Sequence, residues 1–130
     1  MIAVDTSALM AILLDEREAE GCATVLEQED DILISAGTLA ESLIVAARRN
    51  VGSELRVLVH GLGMQCVPVT KHMAERVAAA YDRWGKGVHP SGLNFGDCFA
   101  YALAQERACK LLFVGEDFRM TDVDSAGPSE

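Results

Sequence analysis

Acidic side chains close or follow four separate segments of the sequence. Asp5 ends the apolar run Ile2-Ala-Val, and Glu41 lies six residues beyond Ile32-Leu-Ile-Ser35. Asp97 stands three residues after Asn94, and Glu116 and Asp117 directly follow Leu111–Gly115. Carboxylates are hard oxygen ligands. Several crowded together repel one another unless a divalent cation neutralises them, and Mg²⁺ or Mn²⁺ suits such oxygens together with retained water. An ion held in this way makes water a stronger nucleophile and offsets the charge on a phosphoryl group in transfer. No Walker loop, G-x-S-x-G motif or histidine-rich zinc pattern competes for the chemistry.

The acids can act together only if the elements between them fold back to one place. Ile2–Asp5 reads as a short buried strand, with Thr6 and Ser7 capping a helix over Ala8–Leu14. A second helix is expected over Glu18–Gln28 and a second strand over Asp31–Ser35. Ser35 caps an Ala- and Leu-rich helix over Ala36–Arg49, which Asn50-Val-Gly52 stops, and another helix runs over Ser53–Leu62. Cys66–Val69 reads as a strand whose Pro68 suits an edge or a strand end. Thr70 caps a helix to Trp84, a Gly-rich loop follows over 85–92, and Asn94 caps a helix over Phe95–Ala108. Leu111–Val114 is a fourth strand, Gly115–Arg119 a turn, Asp122-Val123 a short last strand, and the tail from Asp124 is expected to be disordered.

Short apolar strands alternating with helices predict an α/β fold with an open parallel sheet covered on both faces. Sites in such folds lie outside the carboxyl ends of the strands. Asp5, Glu41, Asp97 and Glu116/Asp117 all fall at that edge. Each also has an ordinary role available: Asp97 complements a helix dipole, and Asp5 can cap a turn. Convergence of all four segments on one edge favours the functional reading.

With 130 residues and 14.0 kDa, the chain suits one domain, taken as 1–123 with 124–130 as tail. Half the residues are hydrophobic, which excludes a disordered chain. The net charge of −9 argues against a generic basic coat for nucleic acid. Charge is uneven, however: residues 1–47 carry −9, residues 48–89 carry +4, and residues 90–130 carry −4. Arg48 and Arg49 open the basic stretch and are candidate RNA contacts. The four cysteines form no C-x-x-C pair and read as buried free thiols of a reducing cytoplasm. Neither a signal peptide nor a membrane span is legible.

Ile2-Ala-Val-Asp-Thr-Ser-Ala-Leu9, Ala40-Glu-Ser42, Leu93-Asn-Phe-Gly-Asp-Cys-Phe-Ala-Tyr-Ala-Leu-Ala104 and Leu111-Leu-Phe-Val-Gly-Glu-Asp-Phe118 with Thr121-Asp-Val123 together resemble PIN-domain ribonucleases, specifically the VapC-type toxins of bacterial toxin–antitoxin pairs. The resemblance implies a three-layer α/β/α sandwich around a parallel sheet of four or five strands. It also implies a Mg²⁺-dependent endoribonuclease, a homodimer and a VapB-type antitoxin. Carried across, the metal-binding acids are Asp5, Glu41 and Asp97, with Asp117 as the fourth and Glu116 as its alternative. Thr6 or Ser7 offers a hydroxyl nearby, and Asn94 can orient a carboxylate. Hydrolysis by water predicts 5′-phosphate and 3′-hydroxyl products without a histidine pair. Antitoxin anchors are expected along Ala8–Leu14 and Ala36–Ala47, and self-association around Ala100–Ala108. The rival reading is a catalytically inactive PIN-like scaffold that binds RNA or protein. Ser7, where a haloacid-dehalogenase-like fold needs Asp, and Lys110, which precedes the fourth strand where a receiver fold needs a Lys after it, argue against those two rivals.

Overall fold

The computed structural model describes residues 1–128. Among them the chain forms β1 (Ile2–Val4), α1 (Thr6–Leu13), α2 (Ala19–Gln28), β2 (Ile32–Ser35), α3 (Ala36–Arg48), α4 (Gly52–Gly61), β3 (Gln65–Val67), α5 (Lys71–Trp84), α6 (Phe95–Arg107) and β4 (Lys110–Leu112), then a 3-10 turn at Phe118–Met120. The strands form one parallel sheet in the order β3-β2-β1-β4.

Alternation along the strands sorts the core into two layers. Ala3, Leu33, Leu111 and Phe113 pack with α5 and α6, around Trp84, Leu93, Tyr101 and Leu103. Ile2, Val4, Ile32, Ile34 and Leu112 pack against the other face, with Leu9, Cys22, Leu26, Ala46 and Leu55 from α1 to α4. Strands buried on both faces explain why Ile2–Val4 and Ile32–Ile34 are continuously apolar instead of alternating. The helix after Arg48 stops where expected, because Asn50 turns into the left-handed region at φ 61, which Asn tolerates better than most residues.

Several expectations change. Asp122-Val123 does not form a strand of the sheet. Ser125 bridges in parallel to Leu111 instead, with Leu111 N–H donating to the Asp124 carbonyl and Ala126 N–H to the Leu111 carbonyl, both at 2.9 Å. The tail expected to be disordered from Asp124 is therefore paired through Ala126, where it covers the open edge of β4. Its last two residues, 129–130, lie outside the described residues. The helix cap at the start of α1 is Asp5, not Thr6 or Ser7, which frees both hydroxyls for other partners. The thiols are free as expected, but Cys66 is exposed on the edge strand β3, where only Val67 turns inward.

Among the described residues no helix is long and apolar enough to cross a membrane. Ala100–Ala104, expected to offer an association surface, are instead wholly buried against the sheet, and α6 is exposed at Phe95 and in its last turn, Gln105–Arg107. Ala8–Ala11 of α1 are also core. In α3, by contrast, Leu39 and Leu43 are half-buried and line an apolar groove with Leu55, Val59 and Met64 of the α4 side, about 420 Å³ in volume.

Candidate active site

Asp5 leaves β1 at the carboxyl edge and turns the chain into α1. Its Oδ2 accepts from Ser7 N–H at 3.0 Å and from Ser7 Oγ at 2.7 Å. Ser7 Oγ in turn accepts from Val114 N–H at 3.0 Å, which ties the end of β1 to the segment after β4. Asp5 is 3% exposed, yet its Oδ1 has no hydrogen-bond partner. A buried carboxylate oxygen left bare is costly, and a cation is a natural means of satisfying it.

Thr6, next along α1, reaches the other way. Its Oγ1 donates to Glu41 Oε1 at 2.7 Å and lies 2.9 Å from Ser42 Oγ. Glu41 is thereby held at the second turn of α3, against the start of α6, where Gly96 gives it room. A Cβ on Gly96 would come within 2.6 Å of Glu41 Cδ and nearer still to Oε2. The neighbouring Asp97 closes a capping box. Its backbone N–H donates to Asn94 Oδ1 at 2.8 Å, and its Oδ2 accepts from Asn94 N–H at 3.0 Å. Asn94 thus both caps α6 and orients the Asp97 carboxylate.

Electrostatics tie the four segments together. Burial pushes Asp5 up to about 7, against the two donations from Ser7, and repulsion from Asp97 and Glu41 adds to the rise. Asp97 is also raised, first by burial and then by Glu41 and Asp117, while the Asn94 N–H pulls the other way. Asp117 is therefore the post-β4 acid whose charge Asp97 feels. Glu116 points elsewhere: its side chain is 80% exposed and lies 3.8 Å from Arg119 Nε. Glu41 packs beside the turn that carries Asp97, Asp5 feels the charges of Asp97 and Glu41, Asp97 feels that of Asp117, and Glu116 stands apart.

The histidines have other partners than these acids: His72 lies against Glu106 and His89 against Ser91, and His60 is exposed near the end of α4. Arg48 and Arg49 are exposed at the far end of α3, roughly 10 Å along the helix from Glu41. The basic stretch of the sequence does not form one strip. Arg56 lies on the α3–α4 side of the sheet, while α5 carries Arg76, 3.1 Å from Glu106, and Arg83, 3.5 Å from Asp122, on the opposite side.

The donor set is all oxygen and suits Mg²⁺ or Mn²⁺, and the bare Asp5 Oδ1 fits such an ion. Among the described residues no three acidic, histidine or cysteine side chains stand close enough together to hold a metal ion.

Mutual repulsion and burial make this cluster a cost to the metal-free fold. Asp5 titrates higher folded than unfolded, so its contribution is intact below about pH 4 and is lost as pH rises through about 7. We expect metal-free protein to melt at a lower temperature at about pH 8 than at about pH 5. Asp5→Asn, which keeps an acceptor for Ser7, should raise the melting temperature at about pH 8 by several degrees and flatten that slope. An unchanged pH profile in the variant would contradict this reading.

Comparison with known proteins places this geometry in a family. The PIN domain family model matches residues 2–124. Ribonuclease VapC of Mycolicibacterium smegmatis is 42% identical over 123 residues, covering 92% of this chain and 95% of that protein. Ribonuclease VapC30 of Mycobacterium tuberculosis strain H37Rv is likewise 42% identical, covering 92% and 94%. Among solved structures, Mycobacterium tuberculosis VapC20, a toxin that cleaves the sarcin–ricin loop, superposes with a TM-score of 0.80 at 16% identity, over 98% of this chain and 100% of that one. A toxin–antitoxin complex from Klebsiella pneumoniae contains a chain with a TM-score of 0.67 at 20% identity, over 91% and 90%. At those identities the superpositions speak to fold alone.

Proposed function

The chain belongs to the PIN-domain family, and from that premise we propose that it is a VapC-type toxin, an endoribonuclease that works through a divalent cation held by Asp5, Glu41, Asp97 and Asp117. The observation that most supports this is the bare, buried Asp5 Oδ1 beside acids from three other segments. A bound Mg²⁺ or Mn²⁺ would supply a more acidic water and positive charge opposite the phosphoryl oxygens.

The chain's own residues do the positioning. Ser7 fixes Asp5 and, through Val114, the loop that carries Asp117. Thr6 fixes Glu41, and Asn94 fixes Asp97. Such outer partners hold ligands in register and typically matter about 10- to 100-fold for affinity or activity. With histidine absent from the cluster, the reading is water-driven hydrolysis that leaves a 5′-phosphate and a 3′-hydroxyl. Arg48 and Arg49 would meet phosphates some distance from the cut, not at it.

A cytoplasmic ribonuclease needs restraint, and an antitoxin of the VapB type is the partner this reading requires. Its apolar anchors fit the groove between α3 and α4, and one of its basic side chains could offset the carboxylates. Homodimerisation belongs to the same proposal, on a surface other than Ala100–Ala104. Induced expression of the chain should arrest bacterial growth, and co-expression of its cognate small antitoxin should restore it. Harmless expression of the soluble wild-type chain would contradict the toxin reading.

A further inference from the structure

Beside the carboxylates stands an aromatic ring that the mechanism above does not use. Phe95, the first residue of α6, is 70% exposed, the most exposed aromatic among the described residues. Trp84, Tyr101, Phe113 and Phe118 are buried, Phe99 is half-buried, and Tyr81 is 38% exposed. Leaving a Phe in water forgoes the stabilisation its burial would give, so its position calls for an explanation.

The ring is also rigidly mounted. It meets Phe99 edge-to-face, with centroids 4.9 Å apart and planes at 82°. Phe99, one turn along and half-buried, is wedged against Gly37 of α3, where a Cβ would come within 2.7 Å of the ring carbon Cε1. The Asn94–Asp97 capping box locks the turn from which Phe95 projects. One residue on, Gly96 touches Glu41, and one further is Asp97 itself. Anything that covers Phe95 therefore lies at the rim of the carboxylate cluster.

We propose that Phe95 is a stacking platform for an unpaired RNA base next to the scissile phosphate, making it a residue that positions substrate. The inference rests on the ribonuclease reading and deepens it, because a scissile phosphate at the acids must bring its flanking nucleotides past this rim. Stacking requires a base already free of its helix, which directs the enzyme to single strands, loops or bulges. A buttressed ring loses little freedom when a base settles on it.

The test measures binding apart from cleavage. In an Asp97→Asn background, anisotropy would follow a labelled, randomised single-stranded RNA of about 12 nucleotides, a length within the range of single-strand sites. A same-length oligomer whose central riboses lack bases is the control. Phe95→Ala should weaken binding of the RNA about 5- to 100-fold, the range for loss of one stacked base. It should bind the base-free oligomer as the parent does, and Phe95→Trp should restore RNA affinity. Equal RNA affinity in parent and Phe95→Ala overturns the platform while leaving the ribonuclease reading intact. So does equal RNA affinity coupled with loss of antitoxin binding, which would assign the ring to a protein interface. Failure of the parent to bind RNA at all overturns the ribonuclease reading and the platform with it.

Discussion

Asp97→Asn will lower the rate of RNA cleavage by at least about a hundredfold, the loss typical when one preorganised electrostatic group is removed from a site. The fold will be retained. Asp97 has two roles, and the substitution separates them. As a helix residue it accepts from Asn94 N–H, and an amide oxygen in the same place accepts equally well. As a charged group it is one of the acids that Asp5 feels, and an amide carries no charge. Melting should therefore hold steady or rise as repulsion is relieved, while single-turnover cleavage collapses. A variant that melts normally and cleaves at the parent's rate would remove Asp97 from the machinery.

Gly96→Ala will reduce activity about 10- to 100-fold, the range for displacing a ligand through its outer contacts. Here the fold should not suffer either, since Ala is worth up to about 1 kcal/mol more than Gly inside a helix. The new methyl collides with the Glu41 carboxylate, the free end of a flexible side chain, and the carboxylate must move away. That breaks its contact with Thr6 Oγ1 and takes it off the site. The signature is a normal or raised melting temperature with a fall in activity. Unchanged activity would mean that Glu41 need not stand where Thr6 holds it.

Gly96 shows where sequence reasoning ran out. The acids themselves were legible, because strand ends and helix starts have local signals and a parallel sheet sends them all to one edge. Asp97 with Asn94 was readable as a cap for the same reason. What Gly96 and Gly37 do was not, since each makes room for a side chain from a distant element, Glu41 in one case and Phe99 in the other. The division of labour between Thr6 and Ser7 was equally hidden. Both look like caps, and only the packing of α1 between α3 and the segment after β4 sends one hydroxyl to Glu41 and the other to Asp5.

Other differences have similar causes. Ala100–Ala104 read as an apolar helix surface, but small residues on every side of α6 let that helix sink between α5 and the sheet. The segment after Asp124 is rich in turn-formers and reads as loose, yet the open edge of β4 offers backbone partners that no local signal reports. The basic stretch is contiguous in sequence, but the crossover between α4 and α5 splits it across both faces of the sheet. Glu116 and Asp117 could not be told apart by spacing. Arg119, one turn on, engages the first, while the field of the second reaches Asp97.

If clustered carboxylates cut RNA through a divalent cation, cleavage must depend on the ion and leave the ends that water attack produces. Purified chain would be incubated with total RNA in EDTA, then with Mg²⁺ or Mn²⁺ restored, and the product ends identified chemically. No cleavage is expected in EDTA, cleavage on adding either ion, and fragments that bear 5′-phosphates and 3′-hydroxyls. Cleavage that persists in EDTA, or fragments that end in 2′,3′-cyclic phosphate, would contradict that mechanism.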